Sequence, residues 1–68
     1  MIVYKTIKKP DNTRTGQIAR RRRETFGKSL RKTARAMGIS AAYLSDLELG
    51  HRQWSEELSK KFNEVITQ

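Results

Sequence analysis

Between Ser29 and Gly50 the chain is punctuated twice in the same way: a serine, a short run at helical spacing, then a glycine. A serine at the head of such a run caps a helix, because its hydroxyl oxygen accepts a backbone N–H of the first turn. A glycine behind it takes the left-handed backbone found just past helix ends. After Ser29, residues Leu30, Thr33, Ala34 and Met37 follow at helical spacing up to Gly38. After Ser40, residues Leu44, Leu47 and Glu48 line one face up to Gly50. The connection Gly38-Ile39-Ser40 is too short to do anything but make the two helices cross steeply. Ala34 is small enough to let them approach, and Ile39, Leu44 and Leu47 fill the angle. The second helix is then left with an outer face of Ala41, Ala42, Ser45 and Asp46, with Tyr43 at its edge. Most of these side chains are short, so the helix backbone can enter a DNA major groove about 12 Å wide.

The rest of the chain supplies the frame. A sequence of 68 residues is one domain at most, and a domain this short buries only about 60% of the surface its unfolded chain exposes. Without cysteine there is no disulfide or thiolate metal site, and His51 alone cannot build a metal centre. The spacing predicts a first helix from about Arg14 to Phe26, capped by Thr13 or Thr15 and ended by Gly27. Its one face carries Ile18, Arg22 and Phe26, with Ala19 and Arg23 beside them. A last helix is capped by Ser55 and has Glu56 and Glu57 in its first turn, where acidic groups suit the positive helix end. Leu58, Phe62, Val65 and Ile66 form its apolar stripe. Ahead of all this, Ile2–Ile7 is β-branched and aromatic and reads as a short strand or arm, broken by Pro10, Asp11 and Asn12. The expectation is an all-α fold of four helices with a short N-terminal strand or arm. Residues 1–12 form the arm and residues 13–68 the domain, with 29–50 as its recognition unit.

Charge narrows the partner. The chain has 15 Lys and Arg against 7 Asp and Glu, a net charge of +8, which favours a polyanion. No apolar run approaches the roughly 18 residues of a membrane span, and the N-terminus lacks the long apolar stretch of a signal peptide. A cytoplasmic, nucleoid-associated protein is expected, with no membrane partner. Ser45 and Asp46 are helix neighbours and not an arranged catalytic dyad, so neither an enzyme, a cofactor nor a small-molecule ligand is expected.

The run from Ser29 to Gly50 resembles the helix-turn-helix of the Cro and phage-repressor family, also called XRE-type. Ala34, Gly38-Ile39-Ser40, Tyr43-Leu44-Ser45, Leu47-Glu48 and Gly50 carry the likeness, which extends more weakly from Gly16 to Leu58. The resemblance implies the lambda-repressor-like fold, with the helix after Ser40 lying in the major groove. It implies that Ala41, Ala42 and Asp46, with Ser45 on the same face, meet base edges. Ser40 and Tyr43 sit where phosphate contacts occur, and the loop with His51 and Arg52 resembles one that touches the DNA backbone. Arg23 and Glu48 occupy positions that pair as an ion bridge between the first and third helices. The chain departs from the family pattern in three places. Leu30 stands where a long polar residue often contacts phosphate, a task left to Arg31. Thr33 stands where a large apolar residue is usual. A fifth helix that commonly pairs two subunits is not reached by Gln68.

The expected function is sequence-specific binding of double-stranded DNA, with Lys28, Arg31, Arg52 and part of the Arg20–Arg23 run on phosphates. A chain this small leaves no room for an effector domain, so repression is the expected output, of phage or mobile-element type by the resemblance. One short recognition helix reads few bases, so a homodimer is expected on half-sites ~34 Å apart. The Ile2–Ile7 strand is a candidate pairing edge. Several alternatives stay open on the residues alone. Asp46 either accepts from cytosine N4 or is an exposed or intrahelically paired carboxylate. Trp54 either stacks on a base or packs near the last helix. The whole chain is otherwise a general nucleic-acid binder, or a protein-interaction adaptor such as an antitoxin or a host-factor-binding protein.

Overall fold

The computed structural model describes residues 12–68, and these form four helices: α1 (Asn12–Thr25), α2 (Leu30–Met37), α3 (Ala41–Leu49) and α4 (Glu56–Ile66). The described residues contain no strand. The expected Ile2–Ile7 strand lies outside them.

Each helix from α2 onward begins with a serine in an extended conformation. Ser29, Ser40 and Ser55 accept the backbone N–H of Lys32, Tyr43 and Leu58 at 3.1, 3.0 and 3.0 Å. Each cap satisfies a first-turn donor that has no partner inside the helix. The turn between α2 and α3 depends on Gly38, whose φ of +79° is left-handed. That geometry lets Gly38 N–H reach Arg35 O and Ile39 N–H reach Ala34 O, both at 3.0 Å. The last carbonyls of α2 are thereby satisfied while the chain reverses. The same paired closure recurs behind α1 and α3.

Helix α1 packs on α3, and α2 packs on both α3 and α4. Ala19, Ala34, Met37, Leu44, Leu47, Phe62 and Ile66 form the core, with Leu44, Leu47 and Ile66 wholly buried. Full burial of a Leu, Ile, Met or Phe side chain stabilises by about 1.5–3 kcal/mol, so the few large members carry most of the apolar stability. Leu58 and Val65, expected on the α4 stripe, pack partly buried at its margin. Trp54, in the loop before α4, sets its ring edge-on to Phe62, centroids 5.2 Å apart at 76°. Its indole N–H donates to Leu47 O at 3.1 Å. Trp54 therefore ties the end of α3 to α4; its ring is used for packing.

Two expectations for α1 are corrected. The helix starts at Asn12, ahead of Arg14, so Thr13 and Thr15 lie inside it and cap nothing. The first turn is held from outside: the Thr13 backbone rests against Gly50, where an added Cβ would lie 2.7 Å from the Thr13 Cα. The buried face is also different. Gly16, Ala19 and Arg23 face α3, whereas Ile18 and Phe26 are 50% and 48% exposed and Arg22 is exposed. The reason is steric, since small residues bring α1 close to α3 and leave no room for a branched or aromatic side chain between them.

Candidate nucleic-acid interface

Everything that fixes α3 lies on its inner side. Gly16 of α1 sits against the carbonyls that end α3, where a built Cβ would lie 2.5 Å from Leu47 O and 2.4 Å from Glu48 O. Only a residue without a Cβ permits that approach. Beside it, the Arg23 guanidinium meets the Glu48 carboxylate through two bonds, Nε to Oε2 at 2.7 Å and Nη2 to Oε1 at 3.1 Å. Its third nitrogen, Nη1, donates to Lys28 O at 2.7 Å. Both residues are buried. Arg23 thus locks α1, the end of α3 and the entry to α2 into one unit, and the two-pronged geometry suits arginine and not lysine.

With Leu44, Leu47 and Glu48 turned inward, the opposite side of α3 carries Ala42, Asp46 and Leu49, spaced four and three residues apart along one helical stripe. Ala42 and Leu49 are exposed; Ser45 and Asp46 flank and continue that surface half-buried. Ala41 was expected on this outer face, but it packs partly buried against the core. It lies two turns ahead of the buried Glu48 and shares its side of the helix. Tyr43 is also partly buried at the edge of the surface.

The loop after α3 folds back over this surface. The Asp46 carboxylate lies 3.5 Å from His51 Nδ1 and 3.5 Å from Arg52 Nε. The Arg52 guanidinium carbon stands 4.5 Å from the centroid of the Tyr43 ring, within cation–π range. Asp46 is thus ion-paired with Arg52 and also lies beside the His51 imidazole.

The α2 side supplies positive charge. Arg31, Lys32 and Arg35 are exposed, and α2 contains no acidic residue. Ser40 is exposed at the head of α3; its oxygen is used by the cap, and its hydroxyl hydrogen is left to donate. Lys28 is half-buried and its ammonium lies 3.2 Å from Gln68 O, so it points toward the end of α4. Leu30 is packed partly against the core. The arginine run divides by face. Arg20 pairs along the helix with Glu24 at 3.2 Å, Arg21 is exposed, Arg22 donates to the Asn63 side chain, and Arg23 turns inward.

Three features escaped the sequence reading. Gly16 was the most accessible, since a glycine inside a helical run signals either weakness or a close approach. The Tyr43–Arg52 stack joins a helix to a loop whose path no periodicity gives. The buried Thr33 hydroxyl has no hydrogen-bond partner among the described residues, which sequence spacing cannot show. Those residues also hold no group of three or more His, Cys, Asp or Glu placed to bind a metal ion, and no helix long and apolar enough to cross a membrane.

No curated protein and no solved structure matches the chain. A family model described as helix-turn-helix matches residues 20–66. That span holds all of α2, α3 and α4, the Arg23–Glu48 pair and the last part of α1. The chain belongs to the helix-turn-helix family of DNA-binding regulators and is of the XRE type.

Proposed function

We propose that this protein is a sequence-specific regulator that binds an operator in double-stranded DNA as a homodimer and represses transcription by occupying it. The observation that carries the reading is the contrast between the two sides of α3. The inner side is clamped by Gly16, Arg23 and the core, while the outer side is solvent-facing and short where Ala42 and Ser45 stand. A rigid helix with such a face can bring its backbone close to base edges, and rigidity is what converts contacts into discrimination. Ala42 and Ser45 meet bases directly, with Ala41 at the groove margin and Asp46 on the same surface. Phosphates are taken by Arg31, Ser40, Tyr43 and His51; Lys28 joins them only by leaving its contact with Gln68 O. The phage or mobile-element setting and the nucleoid location follow from the family resemblance. Pairing through Ile2–Ile7 is part of the proposal. A chain lacking residues 1–8 that still sediments as a dimer would remove it.

A titration of the protein against its own upstream DNA and a scrambled duplex, at two salt concentrations, tests the reading. Affinity should fall with salt on both, with a log–log slope of about −0.9 per phosphate contact. The upstream duplex should bind at least ~1000-fold tighter. Equal weak binding to both would transfer the protein to the general nucleic-acid binders.

A second reading, the protein-interaction adaptor, is favoured by one observation. Ile18 stands 50% exposed beside a cleft between α1 and α4 whose walls include Trp54 and Phe62. A stable complex with a co-encoded protein, lost on Ile18→Glu and made without operator DNA, would support it.

A further inference from the structure

The regulator reading leaves α3 with a chemical gap. Its sequence from Ala41 to Leu49 contains no arginine, lysine, asparagine or glutamine. These are the side chains that read purines bidentately in the major groove. The outward stripe offers a methyl group at Ala42 and an acid at Asp46, and an unpaired acid at that place would repel the phosphates on either side of the groove.

Arg52 fills the gap. It lies outside α3 in sequence, but its guanidinium is held against the helix at two points. Nε is 3.5 Å from Asp46 Oδ2, and the guanidinium carbon is 4.5 Å from the Tyr43 ring centroid. Asp46 is on the outward stripe and Tyr43 borders it, so the guanidinium is carried onto the surface that would face the bases. A carboxylate at Nε and a ring at the guanidinium face leave the far edge, Nη1 and Nη2, without a hydrogen-bond partner among the described residues. That edge is a pair of parallel donors. Guanine presents N7 and O6 as a matching pair of acceptors in the major groove, and no other base shows two acceptors there. Asp46, ion-paired with Arg52, has its charge opposed and need not find a cytosine.

We propose that Arg52 reads a guanine in each half-site, and that Asp46 and Tyr43 are positioning residues that hold it for that contact. The proposal rests on the DNA-regulator reading and moves Arg52 from a phosphate, where the family resemblance puts it, to a base. Asp46 acts through Arg52.

The test is a selection of the full chain on a randomised duplex library, followed by titration of the selected duplex and its single-base variants at two salt concentrations. Wild type, Arg52→Ala, Arg52→Lys, Asp46→Asn and Asp46→Ala are compared, with circular dichroism to confirm that each is folded. Arg52 and Asp46 are both partly exposed, so the fold should survive. Wild type should select guanine at one position per half-site. Arg52→Ala should weaken the selected duplex roughly 5- to 150-fold, the range for one bidentate base contact. It should also erase the preference at that position alone. Arg52→Lys should recover only part of that preference, because an ammonium can reach guanine but lacks the fixed parallel donor edge and the planar face that stacks on Tyr43. Asp46→Ala should relax the same position and leave the other positions alone, with Asp46→Asn between it and wild type. A uniform loss over all duplexes for Arg52→Ala, with the salt slope reduced by about 1, is the signature of a phosphate contact and overturns the proposal. So does a shift at a selected cytosine on Asp46→Asn that Arg52→Ala does not share. If wild type enriches no sequence at all, the regulator reading falls together with the proposal. If wild type enriches a site whose guanine ignores Arg52, only the proposal falls.

Discussion

Cutting either partner of the Arg23–Glu48 pair leaves the other charged group buried with nothing to oppose it. Arg23 is 8% and Glu48 6% exposed, so water cannot take over. Such a truncation typically costs about 3–5 kcal/mol, whereas exchanging both partners for apolar residues is often neutral. Glu48→Ala and Arg23→Ala should therefore each lose about that much in urea unfolding, a large part of the stability of so small a domain. The double variant Arg23→Met with Glu48→Leu should recover much of it. If the single variants unfold at the wild-type urea midpoint, the pair is not holding α1 to α3. Thr33 is the opposite case. Its hydroxyl is buried without a partner among the described residues, an arrangement that costs about 1–3 kcal/mol. Thr33→Val keeps the shape and removes the orphaned group, so it should raise stability by about 1 kcal/mol in the same measurement.

At the scale of the elements, two glycines do different work and should respond differently to alanine. Gly16→Ala gains about 1 kcal/mol of helix propensity, but its Cβ would lie 2.4 Å from Glu48 O, a backbone atom that cannot swing aside. Forcing α1 away from α3 costs up to about 3 kcal/mol, so a net loss of about 2 kcal/mol is expected, or roughly 10 °C in Tm for a domain of this size. Gly38→Ala meets no atom within 4 Å, and its cost is the left-handed backbone alone, about 1–2 kcal/mol. A calorimetric scan in which Gly16→Ala matches or exceeds the wild-type Tm would mean that the two helices can separate without loss. The same contrast explains what was legible in the sequence. Gly38 stands between two capped runs and announces a turn by local chemistry, so α2, α3 and the steep crossing could be read from the residues. The Arg23–Glu48 pair spans two helices and was reached through the family resemblance. The face of α1 was misread because apolar spacing pointed to Ile18 and Phe26, while the contact that decides it is a close approach needing Gly16 and Ala19. Nothing in α1 alone says which neighbour it must fit. The resemblance singled out the loop that holds Arg52 as one that meets DNA, but not what Arg52 touches within the protein. Its partners Asp46 and Tyr43 depend on how that loop returns over α3, which only the assembled fold supplies.

For the whole molecule, the +8 charge is offset unevenly, and three of its acids sit in ion pairs. Glu24 is taken up by Arg20, Glu48 by Arg23, and Asp46 by Arg52. The exposed cations of α2 have no acid on their own helix, and in the proposed complex they would draw phosphates to the flank of α3. Helix α3 has 9 residues, a length of about 14 Å at ~1.5 Å per residue, and in the proposed complex would lie along roughly four base pairs at ~3.4 Å each. That is too little sequence to select one site among the very many in a genome, which is the physical case for two copies on one operator. Two copies related by a two-fold axis require half-sites on one face of the duplex, with centres ~34 Å apart. Inserting about 5 base pairs between them turns the second half-site to the far side of the DNA. The prediction is that this insertion reduces binding in a gel-shift titration to that of an isolated half-site. An insertion of about 10 base pairs should restore the facing, and binding should recover to the extent that the pairing segment can stretch. Unchanged affinity with 5 added base pairs would show that each copy binds alone. In that case all discrimination would have to come from one α3 and the single arginine held beside it.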